Sequence, residues 1–475
     1  MNLADVLTGH AERDPAAPAI VEPGRTIDYA ALDRAVWRAA ASFRHRGIGP
    51  GDVVGLAMGS TALHLVASYA LARAGAVQIA LPAADPASAD LERRFSVKTV
   101  LREGDEDWLA AAGPAIDPAV RASGGDAGWR IVTTPAPGRP KAVLHTHAMH
   151  AAAFASYQAA DPLLASDRCL DVLGLHTQAG LLLCWHAQCA GAALLLGFPK
   201  ATAGEFFRSA ESQRATFLFL LPMHLQGLLP ALPRERPRLP GVRKLRTGGM
   251  IVPEALRRET VRRLTPNLTV VYATNDIGAL IAFASGSTLE RFPDALGVAA
   301  PGVAIEIAGV DGNALPSGEV GLVRVRAPGM PQGYLDDPEA SARAFRDGWY
   351  YPGDLGSLAP EGALYFKGRA DDMMNVDGLK VYPAEIESAL LAHGAVAEAA
   401  AFAVPSTKHQ DVPAAAVVLR ESGAARELEE WCRERLGARG PKLVIAVPRL
   451  PRDAAGRPDR GALVRLARER GANGG

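Results

Sequence analysis

The chain has 475 residues, of which 48% are hydrophobic and 21% are charged, with 51 basic and 51 acidic side chains. This length predicts more than one domain, and the composition is ordinary for a soluble globular protein. A formal net charge of zero gives no electrostatic reason to expect nucleic acid or an anionic membrane as a partner.

Neither membrane insertion nor secretion is expected from the sequence. No apolar run reaches the ~18–20 residues that span a bilayer. The opening stretch MNLADVLTGHAERDP is amphipathic and lacks the basic and apolar regions of a secretory signal. The four cysteines show no zinc-like spacing and predict buried, reduced thiols in a cytoplasmic protein: Cys169, Cys184, Cys189 and Cys432.

The first 81 residues alternate between helical and strand-like patterns. The stretch TIDYAALDRAVWRAAASFRHRG places apolar residues on one helical face, with Thr26 or Asp28 as candidate N-cap and Gly47 at the end. Strands are predicted at 53–58 and 76–81, separated by a helix that stops at Gly75. This β-α-β order predicts a parallel sheet with right-handed crossovers.

Later segments extend this pattern and then change it. Residues 215–222 and 268–274 are strand-like, with helices between them. After about residue 300, short strands alternate with glycine turns and predict a β-rich region. We therefore predict an α/β fold with a large N-terminal domain (1–371) of mixed and parallel sheets flanked by helices, whose part from about 300 is β-rich. A small, mobile α+β domain (372–475) follows.

The most specific part of the sequence is GWYYPGDLGSLAPEGALYFKGRADDMMNVDGLKVYPAEIE, residues 348–387. Asp354 follows a glycine in a predicted tight turn, and its carboxylate can accept two hydroxyl groups, such as those of a ribose. Arg369 follows a predicted strand and can reach the same sugar or a phosphate. Taken singly, either residue would be solvated charge at the end of a strand.

The ordered motifs of this segment closely resemble those of the adenylate-forming superfamily: acyl- and aryl-CoA synthetases, luciferases and peptide-synthetase adenylation domains. The family patterns W-Y-x-T-G-D, G-R-x-x-D and G-x-K-V-x-P-x-E-I-E fall on residues 349–354, 368–372 and 378–387. The resemblance covers nearly the whole chain, through PGMPQGYLDDPEASARAF, KLRTGGMIVPEAL and LGLHTQAGLL. The stretch TTPAPGRPK falls where the family has its phosphate-binding loop, T-S-G-T-T-G-x-P-K.

The resemblance implies an AMP-forming ligase. In such an enzyme a carboxylate attacks the α-phosphate of ATP to give an acyl-adenylate and pyrophosphate, and a pantetheine thiol then displaces AMP. The implied cofactors are ATP, Mg²⁺ and coenzyme A or phosphopantetheine. The implied partners are a small carboxylic acid and, as a candidate, an acyl carrier protein. Between the half-reactions the small domain is expected to rotate about a hinge at Asp372.

The resemblance also implies roles for individual residues. Asp354 would hold the ribose hydroxyls, Arg369 would assist at the ribose or a phosphate, and Tyr272 would pack at the adenine. Other residues would line the acyl pocket or let the chain pass close to the nucleotide: His176, Gly248 and Gly249.

The phosphate-binding loop departs from the family pattern. Thr134 and Gly138 are kept as candidate nucleotide-binding residues, and Lys141 as a candidate catalytic residue that clamps the reacting groups. Pro135 and Pro137, however, each remove a backbone N–H that could donate to a phosphate oxygen. Two hydroxyl groups of the family pattern are also lost. These losses predict weaker binding of pyrophosphate.

A second departure lies in VYATNDIGAL, where the family has Y-G-x-T-E. Asn275 replaces the threonine as a candidate nucleotide contact, and Asp276 replaces the glutamate that helps to bind magnesium. Aspartate is shorter by one methylene but is still a hard oxygen ligand. Asp276 is therefore a candidate catalytic and magnesium-binding residue; alternatively, it caps a helix at the turn.

The third departure is Arg457 in LPRDAAGRPDRGAL, at the position of the family's catalytic lysine. Arginine keeps the positive charge, but its planar guanidinium is not equivalent to an ammonium group at a tight site. Loss of one well-placed charged donor typically costs ~10²–10³ in rate. Arg457 is thus either a catalytic residue in a retuned site or an exposed arginine in a basic tail.

The three departures leave several functions open. An acid–thiol ligase acting on an acid without an α-amino group is favoured, because the stretch DVLGLHTQAGLLL offers no carboxylate after His176 that is equivalent to the one by which peptide-synthetase domains bind an ammonium group. One alternative is a homologue with weak or lost adenylation that transfers a preformed acyl group or joins a nitrogen nucleophile. Another is a non-catalytic binding homologue, although retention of Asp354, Arg369 and Asp372 weighs against it.

Overall fold

A computed structural model of the protein describes residues 2–81, 87–105, 125–134, 139–232, 237–376, 379–405, 411–420, 425–452 and 458–472. Strands and helices are numbered in chain order. The strands are β1 (Pro18–Glu22), β2 (Arg25–Asp28), β3 (Val53–Ala57), β4 (Val77–Ala80), β5 (Thr99–Arg102), β6 (Gly128–Thr134), β7 (Lys141–Thr146), β8 (Arg168–Leu170), β9 (Ala193–Leu195), β10 (Phe217–Leu220), β11 (Lys244–Gly248), β12 (Leu268–Ala273), β13 (Leu280–Ser285), β14 (Val298–Ala299), β15 (Ala304–Ala308), β16 (Gly321–Arg326), β17 (Phe345–Arg346), β18 (Trp349–Tyr350), β19 (Asp354–Leu358), β20 (Leu364–Arg369), β21 (Met374–Val376), β22 (Leu379–Val381), β23 (Val396–Pro405), β24 (Asp411–Leu419) and β25 (Leu443–Ala446). The helices are α1 (Asp5–Arg13), α2 (Tyr29–His45), α3 (Ala62–Ala74), α4 (Ser88–Arg94), α5 (His147–Ala160), α6 (Gln178–Cys189), α7 (Ala203–Ser212), α8 (Pro222–Leu228), α9 (Glu254–Arg263), α10 (Ser287–Arg291), α11 (Pro338–Ala344), α12 (Pro383–Leu391), α13 (Ala425–Leu436) and α14 (Arg460–Ala472).

The chain forms two compact units. The first unit comprises Met1–Val252, Leu256–Ala304 and Arg326–Gly348, and the second comprises Pro253–Ala255, Ile305–Val325 and Trp349–Gly475. The strands that directly precede Asp372 share the second unit with the residues that follow it. A domain boundary at Asp372 stays a prediction.

Local sequence signals set the ends of the first helices. The Asp28 carboxylate accepts a hydrogen bond from the Ala31 backbone N–H at 2.6 Å and caps α2, so Asp28 and not Thr26 is the N-cap. Helix α3 ends at Gly75, whose φ of +80° suits glycine because it has no Cβ. The predicted β3-α3-β4 order is confirmed.

A five-stranded sheet in the first unit carries the segment that resembles the phosphate-binding loop. Its strand order is β5-β3-β4-β6-β7, and its strands are parallel except for the antiparallel β6–β7 hairpin. In this hairpin Thr134 pairs with Lys141 and Arg130 pairs with His145. The sheet thus fixes where the loop between Thr134 and Lys141 leaves and rejoins the fold.

The first unit also contains a nine-stranded sheet, in the order β14-β13-β12-β11-β10-β8-β9-β1-β2. The strands from β12 to β1 in this order run parallel, and antiparallel strands lie at both edges. Buried side chains of α2, α3 and α6 form an apolar core with residues of this sheet, including Leu194, Phe217 and Leu280. The predicted class of parallel and mixed sheets flanked by helices is confirmed.

The second unit is richer in antiparallel strands. Strands β18, β16, β19 and β20 lie side by side with β15 next to β16, and separate sheets contain β21-β22 and β23-β24-β25. Helices α12 and α13 share an apolar core with the C-terminal strands, through buried residues such as Ile386, Val417 and Leu428. The predicted β-rich region and the small α+β region are therefore confirmed.

The cysteines form no disulfide. Cys169, Cys184 and Cys432 are buried and Cys189 is half-buried, all as free thiols. Burial raises the pKa of each thiol, that of Cys432 to about 11. No helix in the described ranges combines the length and the apolar character needed to cross a bilayer.

Candidate active site

One face of the β6–β7 hairpin carries polar residues at both ends. Residues directly opposite each other in an antiparallel pair point to the same face, and residues two apart along a strand do so as well. Thr134 and Lys141 stand at the end next to the loop, and buried Val132 and Val143 pair in the middle. The pair Arg130 and His145 closes the other end. We call these six residues the hairpin face.

Asp276 is anchored to this hairpin. Its carboxylate accepts hydrogen bonds from the Thr134 hydroxyl at 2.6 Å and from the Tyr334 hydroxyl at 2.9 Å. Its backbone oxygen accepts from the Nε2 of His145 at 3.1 Å. The Nζ of Lys141 lies 5.0 Å from the centre of the Tyr334 ring, within range of a cation–π interaction. The structure thus brings Thr134, Lys141 and Asp276 together, and their assigned roles stay predictions.

Asp276 does not cap a helix. Residues 275–277 form a turn that leads into strand β13, and its buried carboxylate is held by the two hydroxyls instead. Asn275 in the same turn is exposed. Tyr272 precedes the turn in β12, where it pairs with Ala282 of β13. These positions place Tyr272, Asn275 and Asp276 in one short strand-to-turn segment.

His145 is held as a neutral ring. Burial lowers its pKa to about 4, with the Arg130 charge acting in the same direction against the hydrogen bond to Asp276. Its Nδ1 lies 3.3 Å from the Nε2 of Gln178. Since the Gln178 amide can only donate from this nitrogen, Nδ1 accepts and the ring proton lies on Nε2. His145 thus links β7, helix α6 and the Asp276 turn.

The glycines predicted at the acyl pocket lie at the end of β11. A Cβ on Gly248 would lie 2.2 Å from the backbone oxygen of Val271 in the adjacent strand β12. Gly249 has a φ of +80°, and a Cβ there would approach only a Leu221 methyl group, at 3.4 Å. Only Gly248 is therefore required by strand spacing, whereas Gly249 is favoured by backbone conformation.

His176 lies in the loop before α6. Its side chain is exposed, and its backbone oxygen accepts a hydrogen bond from the Nη2 of Arg130 at 3.0 Å. The loop turns tightly at Gly174, where a Cβ would lie 2.7 Å from the His176 ring. His176 is thus connected to the Arg130 end of the hairpin face through its backbone.

In the second unit Asp354 and Arg369 form an ion pair. They are directly paired on antiparallel strands β19 and β20, and the Nη1 of Arg369 lies 2.9 Å from an Asp354 oxygen. The same nitrogen donates to the Pro352 backbone oxygen at 2.7 Å. Gly353 has a φ of +81°, and a Cβ there would lie 2.9 Å from the Arg369 guanidinium. The glycine before Asp354 therefore makes room for this pair.

Asp372 is paired with the start of the last helix. The Nη1 of Arg460 lies 2.8 Å from an Asp372 oxygen, and its Nη2 lies 3.4 Å from Glu387. Burial raises the pKa of Glu387, while Arg460 and a hydrogen bond from the Ala401 N–H oppose that shift. Helix α12, helix α14 and the proposed hinge residue are thus joined by one guanidinium.

Two of the predicted site residues, Gly138 and Arg457, lie outside the described residues, as do Pro135 and Pro137. Within the described ranges, no group of three or more His, Cys, Asp or Glu side chains forms a metal site. Among the residues that the structure describes, Asp276 therefore does not belong to a cluster of three or more such side chains that could hold a metal ion.

The family of the protein follows from matches to both halves of the chain. Residues 7–99 and 131–335 match the AMP-binding enzyme family, and residues 385–457 match the AMP-binding enzyme C-terminal domain. The chain belongs to the AMP-binding enzyme family. The predicted membership of the adenylate-forming superfamily is confirmed, and relatives of this AMP-binding enzyme are named as CoA ligases.

Several relatives of this AMP-binding enzyme have named activities. Indoleacetate–CoA ligase from Aromatoleum aromaticum is 30% identical over 498 residues, covering 96% of each protein. Feruloyl-CoA synthase from an Amycolatopsis species is 28% identical over 475 residues, covering 94% of this chain and 95% of the relative. 2-Succinylbenzoate–CoA ligase from Bacillus licheniformis is 31% identical over 353 residues, covering 74% and 72%.

Solved structures share the fold of the AMP-binding enzyme. Amide bond synthetase McbA from Marinactinospora thermotolerans superposes with a TM-score of 0.87 at 25% identity, covering 98% of this chain and 99% of that one. The o-succinylbenzoate-CoA synthetase MenE of Bacillus subtilis, in complex with its acyl-adenylate, gives a TM-score of 0.85 at 24% identity, covering 96% and 97%. At that identity the second comparison concerns the fold alone.

Sequence reasoning did not single out four residues of this region: Arg130, His145, Gln178 and Tyr334. Tyr334 lies inside a motif that was recognised, but the role of its hydroxyl depends on a contact with Asp276 across 58 positions of sequence. Arg130 gave a visible signal, because it interrupts the otherwise apolar run of strand β6. A charged residue inside a predicted buried strand needs a partner, and this could have been used to find it.

Proposed function

We propose that this AMP-binding enzyme is an acid–thiol ligase that activates a carboxylic acid without an α-amino group and transfers the acyl group to coenzyme A. The observation that carries the proposal is the contact between Asp276 and Thr134. It ties the candidate magnesium ligand to the start of the phosphate-binding loop, directly across the hairpin from Lys141. The indoleacetate and feruloyl ligases, named for acids without an α-amino group, support this acid class.

The proposed reaction has two balanced steps. In the first, a carboxylate oxygen of the acid bonds to the α-phosphorus of ATP, and the bond to pyrophosphate breaks. In the second, the thiol sulfur of coenzyme A bonds to the acyl carbon, AMP leaves with the electron pair of the broken C–O bond, and the thiol proton is released. Neither step changes an oxidation state.

Residues of the first unit would act on the phosphate side of this reaction. Lys141 would place a positive charge near the reacting carboxylate and phosphate, where charge develops in the transition state. The Thr134 hydroxyl would keep the Asp276 carboxylate oriented. Gly248 would allow the chain to pass close to the acyl-adenylate, because glycine has no Cβ.

Asp276 is suited to a magnesium ion that is shared with a nucleotide. Mg²⁺ takes oxygen ligands and is commonly bound by one or two protein carboxylates together with substrate phosphates. The hydroxyls of Thr134 and Tyr334 each donate to one oxygen of the Asp276 carboxylate and fix its orientation. Asp276 would supply an oxygen ligand to the ion, and the ion would neutralise phosphate charge.

Residues of the second unit would act on the sugar and on the domain movement. Asp354 would accept the ribose hydroxyls while Arg369 fixes the orientation of its carboxylate through their ion pair. Asp372 would be the hinge, and its contact with Arg460 would have to be kept or exchanged when the second unit changes conformation. An acyl carrier protein as acceptor stays a secondary proposal.

Amide formation is a second candidate function. Its support is the similarity to an amide bond synthetase over nearly the full length of both chains. With this acceptor an amine nitrogen, in place of the thiol sulfur, would bond to the acyl carbon of the adenylate. The two candidates share the first step and differ only in the nucleophile.

The first test is pyrophosphate exchange into ATP across a panel of aryl and aliphatic acids, followed by AMP release with coenzyme A or with amines. We expect exchange with at least one acid and faster AMP release with coenzyme A. Binding of ATP without exchange for any acid would reject adenylation, and faster release with amines would favour amide formation. Acyl transfer from an acyl-CoA without ATP would support the alternative in which the protein has lost adenylation and transfers a preformed acyl group.

Arg457→Lys tests whether the departure from the family lysine limits the first step. If the arginine merely weakens the clamp, the lysine variant should increase exchange by up to ~10²-fold, the usual effect of one such donor. No gain, or a loss, would mean that the site is retuned for arginine. Arg457→Met is the matched control, because it removes the charge while keeping the length of the side chain.

A further inference from the structure

Arg130 is a buried arginine with little to balance its charge. It lies on strand β6 and is 4% exposed. Its Nη2 donates to the backbone oxygen of His176 at 3.0 Å. Among the residues that the structure describes, no carboxylate forms an ion pair with Arg130. By contrast Arg246, equally buried on β11, is paired with Asp161 at 2.5 Å.

The Arg130 guanidinium carries its charge at neutral pH in spite of its surroundings. Burial lowers its pKa to about 10, which is still well above neutrality. A single backbone carbonyl supplies a dipole but no negative charge. Burying an arginine without a counter-ion is strongly unfavourable, so a fold that retains one is expected to supply an anion from elsewhere.

The groups around Arg130 are polar but neutral. His145 stands directly opposite on β7, and its ring lies 5.2 Å from that of His150. Burial and the Arg130 charge both lower the pKa of His64 to about 4 and lower that of His150. The buried Nε2 of His150 and Oε1 of Gln178 have no hydrogen-bond partner among the described residues. Among the described residues, Arg130 thus has neutral polar neighbours with unused hydrogen-bonding atoms and no carboxylate to balance its charge.

The hairpin face connects this charge to the reacting groups. Arg130 is four positions before Thr134 on the same strand, which separates their Cα atoms by roughly 13 Å at the usual rise of a strand. The apolar pair Val132 and Val143 lies between them. The face therefore runs from the phosphate end, over a short apolar stretch, to a buried cation.

We propose that Arg130 binds the second carboxylate of a dicarboxylic acid whose first carboxylate is adenylated beside Lys141. This inference rests on the proposed ligase function and specifies its substrate class. The acid would have an apolar spacer, which would lie against Val132 and Val143. Neutral His150, whose Nε2 has no hydrogen-bond partner among the described residues, would donate a hydrogen bond to the bound carboxylate without adding charge. His145 would only line the site, because Asp276 and Gln178 already engage both of its ring nitrogens. Gln178 would orient His145 and would not touch the acid.

The test compares α,ω-dicarboxylic acids of increasing length with their half-amides, which keep shape and length but lack the second charge. Binding to the wild-type enzyme and to Arg130→Met is measured by calorimetry, and pyrophosphate exchange is measured in parallel. We expect at least one diacid to bind the wild-type enzyme about thirtyfold or more tightly than its half-amide, as for loss of a buried charge partner. In Arg130→Met this preference should fall to near one.

A second readout separates ligand binding from a structural role of Arg130. Without ligand, Arg130→Met should have a higher melting temperature than the wild type, because it removes an unpaired buried charge. A lower melting temperature would indicate that the arginine stabilises the fold, and it would contradict the proposal. Arg246→Met is the control, since it removes a buried arginine that is paired with Asp161, leaves that buried carboxylate with only Lys244 as ion-pair partner among the described residues, and should lower the melting temperature.

The outcomes distinguish this inference from the ligase proposal. Equal binding of diacids and half-amides by the wild type would overturn the inference, even with efficient exchange on monoacids. A diacid preference that survives in Arg130→Met would overturn it as well. A preference that depends on Arg130, without exchange for any acid, would retain the anion site and reject the ligase. If Arg130→Met does not fold, Arg130→Lys takes its place and should retain a reduced preference.

Discussion

The hydrogen bond from Thr134 to Asp276 gives the sharpest prediction about the phosphate end of the site. Thr134→Val replaces the hydroxyl by a methyl group of similar size and removes a 2.6 Å hydrogen bond to a carboxylate. Such bonds to charged groups contribute about 1.5–3 kcal/mol. If Asp276 must be held in place for adenylation, kcat/KM for exchange should fall roughly 10- to 150-fold, the same energies expressed as ratios.

The matched variants are Thr134→Ser, which keeps a hydroxyl, and Thr133→Val, which makes the same change on the opposite face of β6. We expect the rate of pyrophosphate exchange to be highest in Thr133→Val, lower in Thr134→Ser and far lower in Thr134→Val. In an Asp276→Ala background, Thr134→Val should have little further effect, because the hydroxyl has then lost its acceptor. Equal losses for both valine variants, or full additivity with Asp276→Ala, would refute the reasoning.

Three further predictions concern other parts of the enzyme. Gly248→Ala should unfold or strongly destabilise the first unit in thermal melts, because its Cβ would lie 2.2 Å from a backbone oxygen of β12; Gly249→Ala should cost only ~1 kcal/mol from its positive φ. Burial raises the pKa of Glu387, so this carboxyl group binds its proton more tightly in the folded state than in the unfolded state. The free energy of unfolding should therefore decrease as the pH rises from the ordinary glutamate range through the raised pKa. Glu387→Gln should flatten this decrease in urea titrations at several pH values, and an unchanged slope would contradict it. Arg369→Lys should weaken AMP binding about tenfold in calorimetry, because lysine cannot keep the planar contact with Asp354; unchanged affinity would exclude that role.

Much of the fold could be predicted from local sequence. Helix α2 shows a strong apolar stripe and an aspartate cap, and α3 ends at a glycine with positive φ. These signals act within a few residues and can be read without knowing the rest of the fold. The choice between Thr26 and Asp28 as cap could not be made in this way, because both lie before the same apolar stripe.

The candidate site was predicted where it coincided with motifs and missed where it depended on long-range contacts. Thr134, Lys141 and Asp276 were identified by position in family patterns. The hydroxyl of Tyr334 and the ring of His145 were not, because their partners lie 58 and 131 positions away in sequence. That Arg130 has no ion-pair partner among the described residues likewise becomes visible only when its neighbours in space are known.

The buried thiols have a practical consequence for studying movement about Asp372. A thiol whose pKa is about 11, as for Cys432, is ionised to only about 10⁻⁴ at neutral pH, and thiol reagents react with the thiolate. Cysteines introduced at exposed positions on either side of Asp372 should therefore react with dyes much faster than the native ones. Distances between two dyes could then be followed through the catalytic cycle in an otherwise natural sequence.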